Sequence, residues 1–208
     1  MIMRVHDLLE IDAQAFIEAS PSAPGWVVES LHAAPFVVVR RAPQVPGLVA
    51  VGVRGEARNQ RWAGACVPSW IRSVLTPVEL MSRVRSALTR APTIPALRSL
   101  ALLAGNPTWS SLPHTWGPGG GVGFELASGR PTASLQSDLD LVIYANARLS
   151  AEEARRLQAA TQSLPSAVDV RVETPVCGFS LTEYASQAPA PILLRTTSGV
   201  MLASDPWA

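Results

Sequence analysis

The sequence predicts an α/β (α+β) protein: a small N-terminal α/β domain over residues 1–92, then a C-terminal domain over 93–208 with a mixed sheet flanked by helices. Three observations predict it. Short runs of β-branched residues alternate with segments of helical period, as layered helices and sheets require. The 208 residues suffice for one large or two small domains. Pro92, Pro95, Pro107 and Pro113 cluster where a connection between two units belongs.

Each element has its own reason. Trp26 to Ala34 places apolar residues at helical intervals, and Phe36 to Arg40 reads as a buried strand. A turn containing Pro and Gly at Ala42 to Gly47 leads into a second strand, Leu48 to Val53, which suggests a hairpin. Arg54 to Ala65 reads as helical, and Pro77 starts a helix through about Arg90. A short apolar helix at Ala96 to Ala104 is followed by a Gly-rich loop and helix at Gly117 to Ser128 and a strand at Leu139 to Tyr144. A helix from Ser150 to Leu164 comes next, with Ser150 as N-cap and Glu153 completing a capping box. A strand at Val168 to Thr174, a helix near Ser180 to Ser186 and a strand near Ile192 to Arg195 finish the chain.

Composition narrows the chemistry. Hydrophobic residues make up 48% and charged residues 16%, as in a folded globular protein. A net charge of +1 supplies no general field toward nucleic acid or an anionic membrane, so neither is an expected partner and any anion site is local. All 17 basic residues are Arg, which excludes a Schiff-base Lys, a Walker-type Lys and a kinase strand Lys. Cys66 and Cys177 form no C-x-x-C pair and read as packed thiols, and the three His residues have no metal-binding spacing. Charges interrupt MIMRVHDLLEID where an export signal needs an apolar run, giving a cytoplasmic expectation. Ser99 to Phe124 is uncharged but broken by Pro and Gly, so it reads as no membrane span.

The chemistry concentrates in three places. The stretch SDLDLVIY, from Ser137, puts Asp138 and Asp140 two apart, where strand alternation sets both on one face. Like charges so close suit a divalent cation held by hard oxygen ligands. Upstream, Gly117 to Gly129 is a Gly-rich loop running into a helix, whose free amides can receive phosphate oxygens. Downstream, Val168 to Glu173 alternates valines with Asp169, Arg171 and Glu173, offering a third acid. Taken singly, each also reads as a solvated edge, a flexible turn or an amphipathic edge strand.

In that order, the three resemble the nucleotidyltransferase fold of the DNA polymerase β superfamily. GGVGFELASGRPTASLQSDLDLV, from Gly120 to Val142, resembles the signature of the malonate decarboxylase holo-acyl carrier protein synthase family, whose members are phosphoribosyl-dephospho-CoA transferases. RVHDLL from Arg4, VVVRR from Val37, VAVGVRGEARNQR from Val49, GFSLTEYA from Gly178, and ILLRTTSG with the later DPW extend the resemblance over most of the chain. The superfamily loop usually reads Gly-Ser, whereas Gly120-Gly121 stands here, so a hydroxyl is absent.

The resemblance implies transfer from 2′-(5″-triphosphoribosyl)-3′-dephospho-CoA to a serine of the acyl carrier protein subunit of malonate decarboxylase, with release of pyrophosphate. It implies Mg²⁺ bound by Asp138 and Asp140, with Asp169 as the third ligand or the base for the serine hydroxyl and Glu173 as the other candidate third acid. Gly119, Gly120 and Gly121 would hold the leaving phosphates. Arg54, Arg58 and Arg61 form the best positive cluster, with Arg58 and Arg61 on one face of the expected helix, and would grip the triphosphate or the carrier. Two other readings remain open at this point: a nucleotidyltransferase using an ordinary nucleoside triphosphate, and a non-catalytic nucleotide- or carrier-binding module.

Overall fold

The computed structural model describes residues 3–57, 59–87, 89–186 and 191–207. Alternating residues in the first third build an antiparallel sheet from β1 (Leu8–Ile11), β2 (Phe36–Val39), β3 (Val49–Arg54), β4 (Arg61–Cys66) and β5 (Ile71–Leu75), in the order β4-β3-β2-β1-β5. Helices α1 (Ala13–Glu18) and α2 (Gly25–Ala33) connect β1 to β2. They cover one face, where Phe16, Val27 and Leu31 pack with Val51, Val53 and Cys66. Burial there pushes the Cys66 thiol up to about 11, which leaves it neutral and inert.

The opposite face of the β3–β4 hairpin is different. Successive side chains alternate, so Gly52 and Arg54 of β3 stand opposite Ala63 and Arg61 of β4 on the uncovered side. Small residues make a flat floor and two guanidiniums mark its end.

This hairpin replaces the helix expected from Arg54 to Ala65. Trp62, Gly64 and Cys66 turn inward while Arg61, Ala63 and Ala65 are exposed, a period of two that Ala and Gly conceal in the sequence. Arg61 therefore faces Arg54 across two strands, and no helix face joins it to Arg58, which lies outside the described residues.

The rest of the chain adds α3 (Pro77–Leu80), α4 (Val84–Ala87), α5 (Pro95–Ala104), α6 (Pro107–Ser110), β6 (Thr115–Pro118) and α7 (Gly120–Ser128). After them come β7 (Leu139–Tyr144), α8 (Ala151–Thr161), β8 (Val168–Glu173), β9 (Gly178–Ser180), α9 (Leu181–Ala185), β10 (Ile192–Thr196) and β11 (Gly199–Ala203). The strands form a mixed sheet, β11-β10-β9-β8-β7-β6, in which β7 and β8, linked through α8, pair in parallel and the other described neighbours pair antiparallel. The Ser150/Glu153 capping box starts α8 as expected. The single helix expected from Pro77 to Arg90 is instead α3, a 3₁₀ turn at Met81–Arg83 and α4. Leu97, Leu100 and Leu103 of α5 and Val122 and Leu126 of α7 pack with Leu139, Leu141 and Ile143 in a second core. Among the described residues no helix is long and apolar enough to cross a membrane.

Alternation along β8 predicts that Asp169, Arg171 and Glu173 share a solvent face. The structure instead buries Glu173, which is 7% exposed. Its carboxylate pairs with the Arg41 guanidinium and, at 2.8 Å, with Nε2 of His6. Both partners belong to the N-terminal part of the chain, so β8 is tied directly to it. His6 has φ 76°, an uncommon backbone for a non-glycine residue, held by its N–H bond to Val39 O at 3.0 Å. Nearby, the Tyr144 hydroxyl donates to Val5 O at 2.9 Å and Arg4 lies 4.1 Å from the Tyr144 ring centroid. Phe36 of β2 also meets Phe124 of α7 edge to face.

Removing one member of a buried ion pair leaves the other charge desolvated, at a cost of about 3 kcal/mol. Glu173→Ala is expected to lose stability on that order in urea titrations. Unchanged unfolding midpoints would show that Arg41 and His6 are not held by this carboxylate.

Candidate active site

The Gly-rich segment and the aspartate strand meet at one point. The N–H of Gly119, the N-cap of α7, donates to Asp140 O at 2.9 Å, and Gly123 N–H donates back to Gly119 O at 2.7 Å. Gly120 follows with φ +53°, and a Cβ there would lie 1.7 Å from Asp140 Oδ2. Position 120 therefore admits glycine alone. Gly121 is unlike it: an added Cβ would find its nearest neighbour, Arg54 Nη1, at an ordinary 3.8 Å. No side chain of the N-cap residue bonds to the first turn of α7. First-turn amides have no acceptor within their own helix, and the helix dipole favours an anion beside them.

A second network holds this turn. The buried Glu125 carboxylate pairs with Arg90 and accepts from the N–H groups of Thr132 and Ala133 at 2.9 and 2.8 Å. The Thr132 hydroxyl then donates to Gly121 O at 2.8 Å. Glu125 is thus a structural acid inside the signature stretch, a role its local sequence does not reveal.

Asp140 stands in register with Asp169 across the parallel β7–β8 pair. Neighbouring strands lie about 4.8 Å apart, so the two carboxylates share a face at close range. Asp169 is 53% exposed, with its Oδ2 3.4 Å from Arg171 Nη2. Asp138 lies one residue before β7, exposed. The Asp140 carboxyl is pushed up, first by burial and next by the Asp169 charge; Asp138 adds to the rise, while Arg54 and Arg61 pull the other way. Those arginines, placed by the N-terminal sheet, thus act on an acid of the C-terminal one.

A cleft of about 620 Å³ lies between the sheets. Gly52 and Ala63 floor one side, with Arg40, Arg54 and Arg61 around them. Gly119, Gly120, Asp140, Asp169 and Arg171 line the other. Of the residues singled out from the sequence, Gly119, Gly120, Arg54, Arg61, Asp140 and Asp169 come together here. Asp138 stands at the edge of the strand, and Gly121 opens on an adjoining cavity. Arg40 and His6 also line the cleft. Sequence reasoning missed both, because their places depend on the pairing of β2 with β3 and on the Glu173 contact.

Among the described residues no group of three or more His, Cys, Asp or Glu is arranged to hold a metal ion. A Mg²⁺ site does not need one, since this ion commonly takes one or two carboxylates and completes its shell with water and substrate phosphate. Asp140 and Asp169 offer two hard oxygen ligands whose mutual repulsion a divalent cation would relieve. The donor set therefore fits.

An α/β protein with a cleft between two sheets, carboxylates on two parallel strands and a helix start beside them is the class the fold defines. Comparison supplies the family. Residues 4–77 match the family model for the phosphoribosyl-dephospho-CoA transferase MdcG N-terminal domain, and residues 79–206 match that for the C-terminal domain. A phosphoribosyl-dephospho-CoA transferase from Pseudomonas aeruginosa is 39% identical over 202 residues, covering 97% of this chain and 92% of its own. Similarly named proteins from Azotobacter vinelandii and Klebsiella pneumoniae are 37% and 36% identical, covering 100% and 98% of this chain and 95% and 96% of their own. No solved structure matches. The chain belongs to the phosphoribosyl-dephospho-CoA transferase family, a family of enzymes.

The two central glycines are expected to respond oppositely to a side chain. Gly120→Ala should lower the melting temperature and abolish transfer, because the methyl group collides with Asp140 on a left-handed backbone. Gly121→Ser should stay within about 0.5 kcal/mol of the parent in stability. Equal tolerance at both positions in thermal melts would overturn this geometry.

Proposed function

We propose that the chain transfers the phosphoribosyl-dephospho-CoA group from 2′-(5″-triphosphoribosyl)-3′-dephospho-CoA to a serine of the malonate decarboxylase acyl carrier protein, releasing pyrophosphate. One observation carries the reading: Asp140 and Asp169 sit in register beside the uncapped start of α7, under Arg54 and Arg61. A triphosphate needs that combination of amide and guanidinium donors next to acidic groups. The reaction class also agrees with a nucleotidyltransferase-type site.

Each residue then has a task. The first-turn amides of α7 hold the two phosphates that leave, and Arg54 and Arg61 balance their charge. Asp169, the more exposed of the paired acids, takes the proton of the serine hydroxyl as its oxygen attacks the α-phosphorus. Asp140 stands beside Gly120, where its carboxylate fills the space a side chain at 120 would take and faces the cleft. Mg²⁺ held by Asp140 and Asp169, with Asp138 outside the pair at the edge of the strand, would neutralise charge on the triphosphate. Glu173 is occupied by Arg41 and His6, which favours Asp169 as the third acid.

Intact mass spectrometry of the apo-carrier, incubated with the donor and Mg²⁺, tests the reaction: the carrier should gain the mass of one prosthetic group. Asp140→Asn and Asp169→Asn should each abolish the gain with unfolding midpoints close to the parent's. Full transfer by both folded variants would refute the site. Arg54→Gln with Arg61→Gln should weaken donor binding by about 1–3 kcal/mol per charged contact, read by titration calorimetry. Undiminished affinity would remove the arginines from the donor site.

A further inference from the structure

Beside the cleft lies a second cavity of about 500 Å³, with a different chemistry. It is walled by α2, by the turn joining β3 to β4, by α7 and by the loop after α7. Trp26 and Phe124 supply aromatic surface, while Glu29, Glu56 and Gln60 supply hydrogen-bond acceptors. Arg54 and Phe124 line both spaces, so the two are neighbours across a shared wall.

The wall is held firmly. A Cβ at Gly55 would lie 2.8 Å from Cε3 of Trp26, so the turn backbone packs closely on the indole. The Ser30 hydroxyl donates to Trp26 O at 2.8 Å. Phe124 is braced by Phe36, with ring centroids 6.2 Å apart. Arg130, also in the lining, is engaged with Ala33 O at 2.9 Å. Gly121 contributes no side chain at the junction.

Charge divides the labour between the two spaces. The cleft has Arg40, Arg54, Arg61 and Arg171 against Asp140 and Asp169, whereas in the second cavity Glu29 and Glu56 balance Arg54 and Arg130, so the excess positive charge that suits phosphate lies in the cleft. A flat, uncharged ring with amino hydrogens suits it: aromatic walls can stack on the ring, and carboxylate or amide oxygens can accept from its edge. The donor proposed above contains one such group, its adenine. We infer that the Trp26 cavity is a purine subsite that receives the adenine of the dephospho-CoA moiety while the triphosphate occupies the cleft. This rests on the donor assignment in the proposed function. The pantetheine arm, flexible and without an aromatic face, lies outside the subsite.

Calorimetric titrations of the full chain with 3′-dephospho-CoA, AMP and 4′-phosphopantetheine separate these possibilities. Two variants act on the cavity differently: Trp26→Ala removes the stacking face, and Ala33→Trp, at an exposed position on the rim, fills the space without disturbing a core. Both should weaken 3′-dephospho-CoA and AMP by about tenfold, the scale of one lost base–aromatic stack, and leave 4′-phosphopantetheine unchanged. The subsite is overturned if both variants bind 3′-dephospho-CoA like the parent, or if 4′-phosphopantetheine alone is weakened. Carrier modification by the parent, read by intact mass, distinguishes the two levels. A parent that modifies the carrier while its variants bind normally sinks only the subsite; a parent that neither modifies the carrier nor binds 3′-dephospho-CoA sinks the donor assignment and the subsite together.

Discussion

The buried Glu173 carboxylate is the constraint on which the cleft depends. It closes the far end of β8 onto Arg41 and His6, joining the mixed sheet to the N-terminal one through charge and hydrogen bonds. A cleft needs two walls at a fixed separation, and residues from the two walls meet here. His6 adopts a left-handed backbone and Tyr144 reaches back to Val5, so the N-terminal segment is bent to serve this junction. The apolar Phe36–Phe124 contact joins β2 to α7 as well. Glu173 thus works as a fastening and not as an exposed acid.

Within the cleft, repulsion and attraction are set against each other. Asp140 and Asp169 are brought into register by a parallel pairing that the α8 crossover allows, and burial makes the charge on Asp140 costlier still. The counter-charge comes from the other sheet, through Arg54 and Arg61. This division has a consequence for binding. A polyphosphate entering the space meets donors from the N-terminal sheet and amides from α7 at once, so productive contact needs both halves of the chain.

The glycine-rich turn owes its form to two different forces. Gly120 is glycine because the Asp140 side chain occupies the space where a Cβ would be, whereas Gly121 meets no such obstacle. Glu125 and Thr132 then fix the turn from behind, through bonds to backbone groups. A buried acid engaged by backbone N–H groups and an arginine is a structural one. Acidic groups near one another therefore serve unlike ends: Glu125 and Glu173 hold the frame, while Asp140 and Asp169 face the cleft.

By itself the sequence determined the α/β class, the Gly-rich turn before α7, the aspartate strand β7, the capped helix α8 and the alternating strand β8. Each is specified by near neighbours: a capping pair at Ser150 and Glu153, a run of apolar strand formers, a cluster of glycines. The tertiary structure decided what local pattern leaves ambiguous. Ala63, Gly64 and Ala65 are compatible with helix or strand, and only pairing with β3 makes them β4 and turns Arg61 toward Arg54. Strands as short as β1 and β5 gain their identity from partners distant in the chain. Alternation placed Asp169 and Glu173 on one face but could not say that Arg41 and His6 would claim the second. The reason is physical: hydrogen bonds within a helix or turn are closed by residues a few positions away, whereas strand pairing, burial of charge and the two walls of a cleft are closed by residues that only folding brings together.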